Sequence, residues 1–347
     1  MSMKAKILEL LREKKDRVAA GAPESEAYVS GQELCEQFGV SRTAVWKAIG
    51  QLKKEGYVIE AVQNRGYRLL DQTEEVYNQA DIQSRLKTKW VAHPLQFFDS
   101  IDSTNIRAKL EAEQGAESGL LVVSDMQSAG RGRRGRGWES PAGTNIYYTL
   151  MLKPDFSSDC APMLTLVMAL AVAKGIRQTL RRDSEEAAAK VGIKWPNDIV
   201  VDGKKVCGIL TEMSMEQGYI HHIVIGVGIN VRRQEFSEEI RDRAAAIDEQ
   251  CGFRISRSQL IADIMEAFEE DYEIFLRTHD LKGLRASYAE LLVNQDREVC
   301  VLDPKGEYRG IARGINDQGE LLVERQDGTV EEVYAGEVSV RGIYGYV

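Results

Sequence analysis

Residues 127–138, QSAGRGRRGRGW, decide which folds this sequence can build. Gly130, Gly132 and Gly135 formally satisfy GxGxxG, the dinucleotide-binding fingerprint, but that fingerprint needs a strand before it and a helix immediately behind it. Here WESPAGTN follows, and Pro141 with Gly143 lets no helix start. No Gly-Lys-Ser/Thr comes after the glycines either, so the stretch is not a Walker loop. What remains is four arginines, Arg131, Arg133, Arg134 and Arg136, alternating with glycines that permit close backbone approach. Such a loop can fold around an anion, with guanidinium forks on carboxylate or phosphate. A flexible Arg-Gly tract for RNA shares the composition. A single compact copy between two strand-like segments fits it less well.

Working outward, LLVVSD (120–125) precedes the loop and NIYYTLML (145–152) follows it, both strand-like. VGIKW (191–195), IVVDGKKVCGILTEM (199–213) and YIHHIVIGVGINV (219–231) read as further strands, while 163–180 and 256–279 carry apolar residues at helical spacing. Asp202-Gly203 is a two-residue hairpin turn. Strands joined by hairpins imply an α+β core with a largely antiparallel sheet. Residues 296–347 hold only short strands, broken at Asp303-Pro304, Asn316-Asp317 and Asp327-Gly328, which suggests a small SH3-like β-barrel.

Three more motifs lie in this core. Lys194-Trp195-Pro196-Asn197-Asp198 ends a strand. Lys194 leaves an apolar run and would be partly desolvated, which is unfavourable unless it meets an anion. Asn197 and Asp198 offer a polar pair suited to a nucleotide or Mg²⁺. Asp102-Ser103-Thr104-Asn105 has the form of a helix N-cap. Gly226-Val227-Gly228-Ile229-Asn230 places glycines inside a strand, where something must pack close.

The N-terminal 70 residues read as a separate unit. A helix over about 3–15 is followed by the loop AAGAPESEA. Ser30 and Glu33 form a capping box for GQELCEQF, Gly39 turns the chain, and Ser41 caps RTAVWKAIGQLKKEG. YVIEAVQNRGYRLL alternates as two strands around Asn64-Arg65-Gly66. Helix, turn, polar-faced helix and basic hairpin together spell a winged helix-turn-helix. Arg42 and Thr43 would reach bases, and Lys47, Lys54, Arg65 and Arg68 would mostly meet phosphates. This segment holds twelve Lys/Arg against nine Asp/Glu, a balance of +3, which leaves −12 for the rest of a chain whose total is −9. Only the N-terminal unit therefore suits nucleic acid.

Residues 71–90 are polar and read as a linker with a short helix. The expected organisation is winged helix 1–70, linker 71–90, catalytic core 91–293 and barrel 294–347. Five scattered cysteines, none spaced CxxC, argue against both disulfides and a zinc site. His221 and His222 are adjacent on a strand and so should point to opposite faces, a poor chelate. No metal site is expected. No apolar run looks long enough for a membrane span and the N-terminus lacks a signal h-region, so a cytoplasmic protein without membrane contact is expected.

The four core motifs, in this order and behind this N-terminal unit, resemble the bifunctional biotin–protein ligases that double as biotin-operon repressors. GRGRRGRGW with KWPND is the specific part, and SRTAVWK looks like the recognition helix of the repressor-type members. The resemblance implies joining of biotin to ATP, with Mg²⁺, to give biotinyl-5′-AMP, then transfer to a lysine of a biotin carboxyl carrier protein. It implies biotin contacts at Ser103, Thr104, Asn105, Gln127, Arg131, Gly132, Arg133 and Lys194, with Lys194 and Arg133 catalytic. Arg134, Trp138, Asn197, Asp198 and Asn230 would hold the nucleotide. Arg42, Thr43, Trp46, Lys47 and Arg65 would meet operator DNA, with the adenylate as corepressor and a homodimer forming when it binds. AAGAPESEA and RRDSEEAAAK (181–190) look longer than usual for the family. A lipoate-type ligase, or a ligand-sensing transcription factor without catalysis, would share parts of this pattern.

Overall fold

The computed structural model describes residues 1–72, 74–302, 306–334 and 339–342, so the break expected at Asp303-Pro304 and the end of the C-terminal domain lie outside the described residues. The chain divides into two compact units, Met1–Leu86 and Lys87–Val347.

The first unit is a winged helix. Helices α1 (Met3–Ala19), α2 (Gly31–Phe38) and α3 (Arg42–Lys54) precede the antiparallel hairpin β1 (Ile59–Val62) and β2 (Gly66–Leu69). Both anticipated caps form: Ser30 Oγ accepts from the Glu33 amide at 3.0 Å and Ser41 Oγ from that of Ala44 at 3.2 Å. Ile7, Leu8, Leu11, Leu34, Ile49 and Leu52 make the shared core. The unit does not stop at residue 70. Helix α4 (Gln79–Gln83), inside the stretch expected as linker, belongs to it. Its Asp81 is buried, ion-paired with Arg12, 3.1 Å from Arg85 Nε, and accepts from the Tyr57 hydroxyl at 3.2 Å. This buried carboxylate and Ala80, which joins the shared core, fasten the helix. A search for apolar periodicity does not see such an anchor.

The second unit is the expected α+β core. Its chain order is β3 (Leu95–Phe98), α5 (Thr104–Glu113), β4 (Leu120–Ser124), β5 (Ile146–Leu152), α6 (Met163–Arg181), α7 (Glu185–Ala189), β6 (Val191–Lys194), β7 (Asp198–Val201), β8 (Lys204–Glu216), β9 (Tyr219–Ile229), α8 (Ile247–Cys251), α9 (Arg257–Thr278) and α10 (Arg285–Leu291). The strands form one seven-stranded sheet, β3-β4-β5-β9-β8-β7-β6. Only the β3–β4 pair is parallel. The β7–β8 turn at Asp202-Gly203 has φ of 51° and 75°, the left-handed pair a tight hairpin needs.

Helix α5 lies on the sheet through Ala108 and Ala112, over Leu120, Val122, Met151 and Val224. Helix α6 corrects one expectation. The segment Ser158–Arg181 is long and apolar enough to cross a membrane by composition, with mean hydropathy 1.5. Its apolar side chains are instead buried in the core, beside α9 and the sheet.

The C-terminal strands β10 (Glu298–Leu302), β11 (Tyr308–Ile315), β12 (Leu321–Glu324), β13 (Val330–Val333) and β14 (Ser339–Gly342) form an antiparallel sheet ordered β13-β12-β11-β10-β14, the small SH3-like domain. Trp195 ties it to the core. Its backbone amide donates to Asn294 Oδ1 and its indole Nε1–H to the Gly319 carbonyl, each at 3.0 Å.

Candidate active site

Two clusters form on neighbouring parts of the large sheet, on elements that the sheet topology forces together. The first gathers at the N-terminus of α5. Ser103 and Thr104 are buried where the helix begins, and the Thr104 amide and hydroxyl both donate to Gln127 Oε1, at 2.9 and 3.1 Å. Gln127 in turn donates through Nε2 to Ser140 Oγ at 3.1 Å. Asn105, also buried, donates to Glu212 Oε2 at 2.7 Å, and its Oδ1 accepts from the Thr149 hydroxyl at 2.6 Å. Burial would raise the Glu212 pKa, but hydrogen bonds from Asn105 and Lys109 outweigh it and hold the carboxyl below its ordinary value. The glycine at position 226 is explained here. A Cβ on Gly226 would lie 2.0 Å from Asn105 Oδ1. The close neighbour inferred from the sequence is a polar side chain of the same cluster.

The second cluster is built by the arginine–glycine loop. The loop folds back on itself: Arg131 bridges Gly137, the Gly132 amide donates to the Arg136 carbonyl at 2.7 Å, and the Trp138 amide to that of Gly130 at 3.0 Å. Between them Arg134 takes a left-handed φ of 57°, while Arg131, Arg134 and Arg136 are exposed. Arg133 turns the other way and donates to Asn197 Oδ1 at 2.8 Å. Burial lowers the pKa of its guanidinium, and the Asp198 carboxylate opposes that shift. Asn197 is fixed by its own bond to the Ile209 carbonyl at 3.1 Å, and Asp198 pairs with Lys205 at 2.5 Å.

Lys194, 5% exposed, closes β6 and stands opposite Asp198 in the β6–β7 register. The Trp138 indole lies on a glycine floor. A Cβ on Gly228 would meet its Nε1 at 2.4 Å, and one on Gly208 its ring at 2.9 Å. That Nε1–H is buried without a hydrogen-bond partner among the described residues. An unpaired buried donor costs about 1–3 kcal/mol, a cost that a ligand acceptor would remove. Asn230, also buried, follows β9, with its amide bonded to the Val206 carbonyl at 2.8 Å.

The comparisons with known proteins fall on the same elements. The profile of the Biotin/lipoate A/B protein ligase family matches residues 97–230, that of an HTH domain residues 24–68, and that of the Biotin protein ligase C terminal domain residues 296–341. The bifunctional ligase/repressor BirA of Bacillus subtilis is 36% identical over 329 residues, covering 94% of this chain and 98% of that protein. The chain belongs to the bifunctional biotin–protein ligases. The BirA protein of Escherichia coli is 32% identical over 312 residues, 90% of this chain and 92% of its own. Among solved structures, the biotin protein ligase from Aquifex aeolicus in complex with biotin and ATP superposes with a TM-score of 0.61 at 28% identity, covering 72% of this chain and 98% of that one.

Sequence reasoning did not single out Glu212, Thr149 and Ser140, which hydrogen-bond to Asn105 and Gln127 in the first cluster. Each is a lone polar residue in or beside a strand, and only the long-range pairing of that strand gives it meaning. On the winged helix, Arg42, Thr43, Trp46, Lys47 and Arg65 are all exposed, Trp46 at 68%. Arg68 departs from expectation. Glu60, at 2.5 Å, and Glu24 hold it, and it stacks over Tyr28, so it braces the wing.

Proposed function

We propose that the second unit joins biotin to ATP, releasing pyrophosphate, and passes the biotinyl group to a lysine of a biotin carboxyl carrier protein, while the winged helix binds operator DNA as a repressor. The observation that carries this reading is the Arg133–Asn197 hydrogen bond, which brings the arginine–glycine loop onto the turn that the buried Lys194 opens.

A carboxylate does not condense with an amine at neutral pH, because its oxygen is a poor leaving group. In the first step a biotin carboxylate oxygen attacks the α-phosphorus, and the bond to pyrophosphate breaks. Negative charge gathers at the α-phosphate, and Lys194 with Arg133 stabilises it in a pocket partly closed to water. In the second step the acceptor amine attacks the acyl carbon, loses a proton and displaces AMP. No side-chain nucleophile is needed. The carboxylate at this turn, Asp198, is already held by Lys205 at 2.5 Å. Mg²⁺ bound with the nucleotide would supply charge neutralisation of the pyrophosphate.

On this reading Ser103, Thr104, Asn105 and Gln127 receive the ureido ring, while Arg131, Gly132, Arg133 and Lys194 surround the carboxylate and α-phosphate. Arg134, Trp138, Asn197, Asp198 and Asn230 hold the nucleotide, Trp138 through the indole N–H that lacks an internal partner. ATP–pyrophosphate exchange tests the reading directly. Biotin should support it and lipoate should not; the reverse preference would make the chain a lipoate-type ligase.

Ordering of the loop is the next expectation. Its glycines give residues 130–137 high backbone entropy, and its like-charged arginines repel until an anion arrives. Trypsin should cut at the exposed Arg131, Arg134 or Arg136 readily in the free protein and slowly with biotin and Mg-ATP. Equal cleavage under both conditions would remove the idea of a closing loop.

The reading also makes the chain a cytoplasmic protein that dimerises when the adenylate is bound. One winged helix with a few exposed cations binds DNA modestly, and helix-turn-helix proteins gain specificity by pairing two half-sites. Adenylate and operator should then strengthen each other's binding by the same factor, because coupling is reciprocal. Sedimentation and operator affinity at fixed salt, with and without biotinyl-5′-AMP, measure this. An adenylate that leaves both unchanged would end the switch, though not the ligase.

A further inference from the structure

At the far end of α5 from Thr104 and Asn105, three groups meet that the ligase chemistry does not use. In a regular strand, neighbouring side chains point to opposite faces, so His221 and His222 should diverge. They do not, because the β8–β9 pairing breaks there. Ser214 faces His222 and Met215 faces Ile220, leaving His221 as an inserted residue. A β-bulge of this kind re-aims side chains. It brings the two Nδ1 atoms to 3.0 Å, with the rings 5.0 Å apart. Glu113, the last residue of α5, places Oε1 3.4 Å from His221 Nδ1 and 3.8 Å from His222 Nδ1.

These spacings are those of ligands around one ion. Donors on tetrahedral zinc, at bonds of about 2.0–2.2 Å, sit about 3.3–3.5 Å from one another. The observed edges of 3.0, 3.4 and 3.8 Å bracket that value. Two imidazoles and one carboxylate are also the donor set such an ion favours. The burial is graded: His222 is 2% exposed, His221 28% and Glu113 58%. The fixed ligand is thus inside, and solvent can supply a fourth donor from the Glu113 side. His222 Nδ1 is the ring atom that faces both other donors, so it is the one through which this ring would bind. Two nearby lysines are already engaged, Lys109 by Glu212 at 2.7 Å and Lys153 by the Ala112 carbonyl at 3.2 Å.

We propose that Glu113, His221 and His222 bind a zinc-class divalent cation that clasps the end of α5 to the start of β9. The two elements are the ones whose other ends bring Asn105 against Gly226. The clasp therefore stiffens one wall of the pocket without touching substrate. It does not depend on which acid the ligase activates.

Cobalt chloride titration of the full chain, followed in the visible spectrum, tests the proposal. One Co²⁺ per chain should produce the intense d–d bands of a four-coordinate nitrogen–oxygen site, displaced by ZnCl₂. Amide exchange at the C-terminal turn of α5 should slow in the same samples. Glu113→Gln and His221→Ala alter the two more exposed ligands, so both should fold as the parent does. Each should lose the Co²⁺ spectrum and weaken zinc binding by at least about tenfold, the low end of losses seen even for outer-shell changes. Three outcomes overturn the site. A titration without a saturable spectrum would make the 3.0 Å contact a hydrogen bond between imidazoles. A thiolate charge-transfer band would assign the ion to one of the five free cysteines. Variants that bind like the parent would exclude these ligands.

Discussion

Lys194→Ala is expected to slow biotin-dependent ATP–pyrophosphate exchange by about two to three orders of magnitude, the usual scale for losing one preorganised charge-stabilising group. Lys194 is buried at the end of a strand whose other residues, Val191, Gly192 and Ile193, are buried as well. On the reading above, its ammonium meets the charge that develops at the α-phosphate. The loss should therefore appear in the chemical step, with kcat falling further than KM rises. Alanine also removes the aliphatic stem. Lys194→Met keeps most of that volume and drops only the charge, so it should unfold at the parent's temperature yet exchange as slowly as alanine. Near-parental exchange by either variant would refute the catalytic role.

How far the sequence carried this result varies along the chain, for physical reasons. Signals held within a few residues survived folding intact. The caps at Ser30 and Ser41 and the hairpin at Asp202-Gly203 all form, because each is decided by local hydrogen bonding or by φ. The arginine–glycine loop could be separated from a dinucleotide fingerprint because Pro141 and Gly143 forbid the following helix. What depends on distant pairing was not legible. Glu212 meets Asn105 across 107 positions, and nothing beside it in sequence marks it. Asp81, which fastens α4 to the winged helix, sits in a stretch whose polar composition suggested a linker. Alternation misread His221 and His222 because one bulge, set by the β8–β9 register, reverses the rule at that point. Helix α6 was the opposite case. Its run is long and apolar enough to cross a membrane, yet most of it is buried in the core.

The glycines of β9 allow the two clusters to be tested separately. Neither Gly226 nor Gly228 has a left-handed φ, so alanine suits both backbones and the effect must come from the added Cβ alone. At position 226 that carbon would lie 2.0 Å from Asn105 Oδ1. Asn105 cannot simply yield, since Glu212 holds it at 2.7 Å and Thr149 at 2.6 Å. Gly226→Ala must break that network, and the KM for biotin should rise at least about tenfold, or roughly 1.4 kcal/mol. At position 228 the Cβ would meet Trp138 Nε1 at 2.4 Å and lift the indole from its floor. Gly228→Ala should raise the KM for ATP by a comparable factor. Each variant should leave the other substrate's KM within about twofold. The Gly226→Ala/Asn105→Ala double variant should be no worse than Asn105→Ala alone, because the group being struck has gone and the two effects cannot add. If both single variants raise both constants equally, the clusters are not separate biotin and nucleotide sites. If neither constant moves, Asn105 and Trp138 do not contact substrate.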